Sequence, residues 1–113
     1  MKAQIVLTGS QVYGPATLES DIDIVMHVED AEGLKAFLEI KRIGITEDNG
    51  PGDSGEKKNT TFYFRIGELK FNIICVNSEL ELNKWEHATK NLLNRAPIYN
   101  REERCREFKK GLI

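Results

Sequence analysis

The chain has 113 residues, of which 40% are hydrophobic and 30% are charged, and its formal net charge is −2 at pH 7. This length and composition predict a single globular domain, residues 1–113, with its own hydrophobic core, and they argue against a disordered chain. The mildly acidic balance argues against a uniformly basic nucleic-acid binder.

The charge is unevenly distributed along the chain. Residues 1–83 carry 8 Lys/Arg against 14 Asp/Glu, a net −6, whereas residues 84–113 carry 8 against 4, a net +4. A basic C-terminal segment of this kind is typical of a solvated helical face, and it is also compatible with a surface for an anionic partner.

The N-terminal and cysteine patterns predict a cytoplasmic protein. The start MKAQIVLTGS has one Lys and a short apolar run, without the length or cleavage site of a signal peptide. No run approaches the length of a membrane-spanning helix, so we expect no membrane association. Cys75 and Cys105 form no C-x-x-C pair, and reduced thiols are expected.

The first predicted elements are two short strands separated by a turn. The apolar run 3–8 predicts a buried strand that ends at Gly9-Ser10, and the alternation in 21–28 predicts a second strand. Between them, Gly14-Pro15 breaks any long helix. Strand alternation places the two aspartates on the face opposite the two isoleucines, that is, Asp21 and Asp23 opposite Ile22 and Ile24.

A helix and a long loop follow. Asp30 is the predicted N-cap of a helix whose apolar residues recur at helical spacing and which stops at Gly44. Residues 47–59 contain three Gly, one Pro and almost no apolar residue, so they predict a loop that is either functional or disordered. Its Lys57 and Lys58 either are solvated or reach a bound triphosphate.

The remaining chain predicts a hairpin and two helices. The β-branched and aromatic runs 60–66 and 68–76 meet at Gly67, the pattern of an antiparallel hairpin. Ser78 and Glu81 predict a capping box at the start of a helix. The predicted buried face of that helix comprises Leu82, Trp85, Thr89, Leu92 and Leu93. The segment NREERCREFKKGL predicts a last, highly charged helix.

These elements predict an α/β (α+β) fold, with a small mixed or antiparallel sheet packed against helices. Cys75 lies in an apolar run and Trp85 at an apolar helical position, so both are expected in the core. His27 and His87 are expected to be ordinary surface or core histidines.

The two aspartates of the second strand predict a cation site. Side chains two residues apart on a strand project to one side, where Asp21 and Asp23 would repel each other unless a positive charge lay between them. A hard ion such as Mg²⁺ prefers carboxylate oxygens together with substrate phosphate oxygens. In the preceding turn, Gly9 permits close backbone approach and the Ser10 hydroxyl can hold phosphate oxygens. The pattern therefore predicts a metal–nucleotide site.

The segment GSQVYGPATLESDIDIV resembles the signature of the DNA polymerase beta-like nucleotidyltransferase superfamily, especially its minimal members. The positions that carry the resemblance are Gly9, Ser10, Gly14, Ser20, Asp21 and Asp23. The order of the later elements, a helix, a hairpin and a helix, is compatible with that family over most of the chain.

The resemblance implies a transferase that moves a nucleoside monophosphate from an NTP to an acceptor hydroxyl and releases pyrophosphate. Asp21 and Asp23 would hold Mg²⁺ or Mn²⁺, and Gly9 and Ser10 would hold the terminal phosphates. Tyr13 either lines the substrate pocket or packs locally. The acceptor stays open between a nucleic acid, a protein and a small molecule, and a protein partner is compatible with some minimal members.

One position departs from the family pattern. The family commonly has a third carboxylate on a later strand, and the corresponding position in KFNIICV holds Asn72. An amide offers a neutral oxygen to a metal but takes no proton at physiological pH. Glu68 lies four residues away, roughly 13 Å along an extended strand, which is too far to replace it.

Two explanations of Asn72 stay open at the level of sequence. Catalysis can proceed with two aspartates, because positioning and electrostatics supply most of the acceleration in phosphoryl-transfer chemistry. Alternatively, the chain is a catalytically degenerate nucleotide-binding or protein-interaction module, such as an antitoxin, on the same fold.

Overall fold

The computed structural model describes residues 4–14, 20–48, 60–95, 98 and 100–112. Its elements in chain order are β1 (Ile5–Thr8), α1 (Ser10–Tyr13), β2 (Ile22–His27), α2 (Val28–Ile40), β3 (Thr46–Asp48), β4 (Thr60–Ile66), β5 (Leu69–Val76), α3 (Glu79–Leu93) and α4 (Arg101–Gly111). The predicted loop 47–59 begins inside β3, and its remainder, with Lys57 and Lys58, lies outside the described residues.

The described strands form one mixed sheet in the order β1-β2-β5-β4-β3. The central pair, β2 and β5, is parallel, and the other three pairs are antiparallel. Helices pack against this sheet, so the predicted α+β class with a small mixed sheet is confirmed.

The sheet separates two apolar cores. One core lies under α3 and α4 and contains Val6, Val25, Ile74, Val76, Leu82, Trp85, Ala88, Leu92 and Phe108. The other lies under α2 and contains Met26, Ala31, Leu38, Phe62, Phe64, Ile73 and Cys75. Neighbouring residues of β2 and β5 alternate between the two cores, as the period of a strand requires.

The hairpin of β4 and β5 forms as its sequence predicts. Ile66 pairs with Leu69 across a two-residue turn, and Gly67 occupies its first position at φ 62°. A positive φ at that position matches the right-handed twist of the flanking strands and favours glycine. Glu68 lies in this turn and not in the strand.

The start of α2 differs from the prediction. His27, and not Asp30, is the N-cap, because its Nδ1 accepts a hydrogen bond from the backbone N–H of Glu29 at 3.1 Å. Val28 therefore belongs to the helix, and β2 ends at His27. Asp30 lies in the first turn, where a carboxylate interacts favourably with the helix dipole.

The end of α2 also differs. The helix ends at Ile40, and Arg42 adopts a left-handed conformation at φ 59°. The N–H of Arg42 donates to Glu39 O and that of Ile43 donates to Leu38 O, which is the Schellman pattern of helix termination. The helix has thus already ended before Gly44, which is not its stop.

Helix α3 begins at the predicted capping box. Ser78 Oγ accepts a hydrogen bond from the N–H of Glu81 at 3.2 Å, and the Glu81 carboxylate accepts from the N–H of Asn77 at 3.2 Å. Four of the five predicted core positions are buried, namely Leu82, Trp85, Thr89 and Leu92. Leu93 is 51% exposed, so that prediction was wrong. Ala88, which faces Gly111 of α4, is buried instead, so the buried face of α3 is centred away from Leu93.

None of the helices in the described part of the chain is both long enough and apolar enough to span a membrane.

The contact between α3 and α4 predicts opposite effects of two Gly→Ala substitutions. A Cβ on Gly111 would lie 2.8 Å from Cα of Ala88, whereas a Cβ on Gly33 of α2 would meet no atom within 4 Å. We expect Gly111→Ala to lower the free energy of unfolding by about 1–3 kcal/mol. Gly33→Ala should raise it by about 0.5–1 kcal/mol. Urea denaturation followed by circular dichroism measures both, and equal effects would contradict the proposed helix contact.

Candidate functional site

Asp23 lies where three strands meet. It pairs with Thr8 of β1 on one side and with Asn72 of β5 on the other. Nδ2 of Asn72 donates a hydrogen bond to Oδ1 of Asp23 at 3.2 Å. The structure therefore brings together the second aspartate and the amide at the expected third-carboxylate position, although they are 49 residues apart in sequence.

The Gly9 turn packs against the same carboxylate. Gly9 has φ 80° and ψ −176°, a backbone conformation that side chains disfavour. A methyl group built on Gly9 would overlap Oδ2 of Asp23, so only glycine fits this contact. The Gly9 carbonyl accepts hydrogen bonds from the N–H groups of Val12 and Tyr13 at 3.0 and 3.2 Å, and Ser10 begins α1.

Asp21 has a different partner. It lies one residue before β2, and not within the strand as predicted, and Nζ of Lys70 lies 3.6 Å from its Oδ1. Both side chains are about one-third exposed, so this ion pair is partly screened by solvent. Lys70 therefore supplies part of the positive charge that neighbouring carboxylates require. Lys70 lies two residues before Asn72 and hence on the same strand face, which is the signal in the sequence that could have placed it at the site.

A buried pair of hydroxyl groups joins the Gly9 turn to α3. Oγ1 of Thr8 lies 2.6 Å from Oγ1 of Thr89, and the Thr89 hydroxyl donates to the carbonyl of Trp85 at 2.8 Å. Since that bond uses the only Thr89 hydroxyl proton, the Thr8 hydroxyl is the donor in the shorter bond. Both residues are buried, at 2% and 4% exposure. Helical spacing predicts that Thr89 is buried, but not that it contacts Thr8, which is 81 residues away in sequence.

The remaining positions of the motif lie around α1. Nε2 of Gln11 donates to the backbone carbonyl of Ser20 at 2.9 Å, which joins α1 to the residue before Asp21. Gly14 has φ 61°, and a Cβ there would meet nothing within 4 Å. The Tyr13 ring lies 5.9 Å from the ring of Phe108 in α4, so local packing accounts for its position. A contact of Tyr13 with substrate stays a prediction.

The histidine, cysteine and tryptophan side chains considered in the sequence analysis lie outside this site. Trp85 is buried, 5.3 Å from Phe108 between ring centroids. Cys75 is buried in the α2 core, and burial raises the pKa of its thiol, which keeps it protonated at neutral pH. His27 caps α2, and His87 is exposed on α3.

The oxygen donors at the site suit a hard cation. Among the residues that the structure describes, no three Asp, Glu, His or Cys side chains form a potential metal cluster. Carboxylate and amide oxygens are the donor types of an ion that takes further ligands from substrate phosphates and water. Asn72 directs its NH₂ group at Asp23, so a half-turn of its amide is needed to present the oxygen instead.

A model of the family described as nucleotidyltransferase domain matches residues 2–105 of the chain. The match extends from the segment before β1 into α4 and includes Gly9, Ser10, Asp21, Asp23 and Asn72. Comparisons with curated proteins and with solved structures gave no match.

The contact between Gly9 and Asp23 predicts a selective effect of Gly9→Ala. Gly9 and Gly14 have nearly the same backbone conformation, with φ 80° and 61° and ψ −176° and 174°. Only the Cβ of Gly9→Ala would displace a side chain, so its stability loss should exceed that of Gly14→Ala by about 1 kcal/mol or more. Thermal and urea denaturation measure both variants. Equal losses of stability in the two variants would show that backbone strain alone explains the requirement for glycine at position 9.

The buried hydroxyl pair predicts that Thr89→Val is more harmful than Thr89→Ser. Valine has nearly the same shape but leaves the buried Thr8 hydroxyl without this acceptor, at a cost of about 1–3 kcal/mol. Serine keeps the oxygen and loses only a methyl group. The free energies of unfolding of the two variants distinguish the cases, and a valine variant as stable as serine would contradict the hydrogen bond.

Proposed function

The chain belongs to the nucleotidyltransferase domain family, and on that premise we propose that it transfers a nucleoside monophosphate from an NTP to an acceptor hydroxyl. We propose that residues 1–113 act as one domain and that the protein works in the cytoplasm. The observation that supports this function best is the position of Asp23, which lies against the Gly9 turn on one side and the Asn72 amide on the other.

Each part of the site has a proposed task. Gly9 and the Ser10 hydroxyl hold the terminal phosphates of the NTP, while Tyr13, Gly14 and Ser20 line the nucleotide side of the site. Asp21 and Asp23 hold a divalent cation, Mg²⁺ or Mn²⁺, while the Asn72 amide keeps its hydrogen bond to Asp23. Such an ion, when bound, neutralises the charge of the phosphates. Lys70 balances the charge of Asp21 when no ion is bound.

The proposed reaction is an in-line displacement at the α-phosphorus. The acceptor oxygen forms a bond to this phosphorus, and the bond from the phosphorus to the oxygen that bridges it to the β-phosphate breaks, which releases pyrophosphate. Asn72 cannot take the acceptor proton, so the proton passes to an aspartate carboxylate or to water. Because phosphoryl-transfer transition states are loose, alignment contributes more than the strength of the base. Asn72 contributes to alignment by holding Oδ1 of Asp23.

A second candidate function also has support from the site. Each carboxylate already has a partner within the protein, Lys70 for Asp21 and Asn72 for Asp23. Such neutralised carboxylates suit a catalytically degenerate nucleotide-binding or protein-interaction module, for example an antitoxin. The two functions differ in whether α-labelled nucleotide is transferred.

Label transfer from α-labelled NTPs, in Mg²⁺ or Mn²⁺, tests the transferase. The acceptors offered are the protein itself, total RNA and a protein extract. We expect transfer by the wild type. In Asp21→Asn and Asp23→Asn the rate of transfer should fall by about 100-fold or more, because a weakly held cation would balance the charge of the NTP phosphates poorly. Transfer by Asn72→Asp alone would instead indicate the degenerate module. If no variant transfers label and no variant binds NTP, the chain is not a nucleotidyltransferase enzyme.

A stability measurement tests the cation site without any acceptor. Asn72→Asp replaces an N–H donor to Asp23 with a third negative charge, so the melting temperature should fall in EDTA. Millimolar Mg²⁺ or Mn²⁺ should restore it, because ion binding to the folded state stabilises that state. Asn83→Asp makes the same chemical change on the exposed side of α3 and should show no such ion dependence. An identical response of both variants would contradict the site.

A further inference from the structure

The sheet face that carries the candidate site continues beyond Asn72. Tyr63 of β4 pairs with Asn72, and Thr46 of β3 pairs with Tyr63, so their side chains share the face of Asp23. An open cleft of about 520 Å³ lies on this side of the sheet and is lined in part by Thr46, Tyr63, Arg65 and Lys70. Of the residues that line this cleft, the proposed NTP site involves Lys70 alone, as the partner of Asp21.

The cleft has an unbalanced positive charge. Arg65 and Lys70 pair directly across β4 and β5, and like charges in that position repel each other. Lys70 has Asp21 as its counterion at 3.6 Å. Arg65 is exposed, and no ion pair joins it to another residue in the described part of the chain. An anion between the two side chains would relieve this repulsion.

An aromatic ring lies under one of these cations. Nζ of Lys70 lies over one face of the Tyr63 ring, 5.2 Å from its centroid, and Tyr63 is only partly buried. A base can stack on the other face of the ring while Lys70 and Arg65 contact its phosphate, so these side chains match a nucleotide unit.

The position of the cleft relative to Asp23 indicates which substrate it serves. In the sheet order, the Gly9 turn follows β1 on one side of Asp23, whereas Tyr63 and Arg65 lie on β4 on the other side. In-line displacement requires the attacking and leaving oxygens on opposite sides of the phosphorus. If the terminal phosphates of the NTP lie at Gly9-Ser10, the attacking hydroxyl approaches from the side of the cleft.

We propose that this cleft binds the acceptor and that the acceptor is a nucleotide unit, with its base on Tyr63 and its phosphate between Arg65 and Lys70. The inference rests on the proposed function for the acceptor role, but the binding of a nucleotide unit can be measured separately. The unit belongs either to a single nucleic-acid strand or to a free nucleotide, since both present the same base and phosphate.

Fluorescence anisotropy with a labelled single-stranded RNA of about 8 nucleotides tests the cleft, without divalent ions and at fixed salt. Arg65→Glu and Tyr63→Ala should each weaken RNA binding by about tenfold or more. The matched control is Arg106→Glu, the same charge reversal on the exposed, basic face of α4, which should have little effect. If AMP displaces the RNA, the cleft binds a free nucleotide. If AMP does not displace the RNA, the cleft binds a nucleic-acid strand.

The binding of ATP with Mg²⁺, measured on the same variants, separates the two proposals. ATP affinity should be unchanged in Arg65→Glu and Tyr63→Ala. If both variants lose ATP affinity as well as RNA affinity, the cleft belongs to the NTP site and the acceptor role is overturned. The assignment of the cleft as a nucleotide-binding site is also overturned if the wild type does not bind RNA, or if Arg106→Glu weakens RNA binding as much as Arg65→Glu. Failure of the wild type to bind ATP contradicts the proposed function alone. Circular dichroism verifies folding, and Tyr63→Leu and Arg65→Gln replace any variant that does not fold.

Discussion

The contact of the Asp23 carboxylate with two other strands is the constraint on which the arrangement of the site depends. One carboxylate oxygen faces the Gly9 backbone at the end of β1, and the other accepts the Asn72 amide from β5. The contacts require both the antiparallel pairing of β1 with β2 and the parallel pairing of β2 with β5. The buried hydroxyl bond from Thr8 to Thr89 then joins the same corner to α3. A shift in any of these elements would therefore change the position of the Asp23 carboxylate.

The electrostatics of the site follow from these neighbours. A partly buried carboxylate is unfavourable without compensation, and the protein provides a cation for Asp21 and an amide donor for Asp23. At the proposed cation site, an ion would compete with both of these partners. Asn72 itself is neutral, and its amide holds the carboxylate of Asp23.

One face of the sheet has an apolar part and a polar part. On β2 and β5, Val25 and Ile74 lie under α3, and two residues earlier on each strand Asp23 and Asn72 lie in the polar region. The apolar part anchors the strands, because burial of these side chains contributes most of the favourable free energy of folding. The polar part extends through Tyr63 toward the cleft.

The sequence by itself determined the features whose causes are local. Period-two alternation separated Asp23 from Ile24, Gly67 marked the hairpin, Ser78 and Glu81 marked the start of α3, and the Gly-Ser and Asp-x-Asp motif indicated the family. Tertiary structure decided that His27 caps α2, that Leu93 stays exposed, and that Lys70, Thr89 and Tyr63 lie near the motif. These contacts join residues far apart in sequence, and they depend on strand register and helix packing. Register is set by the burial of whole faces of the sheet, which no short pattern contains.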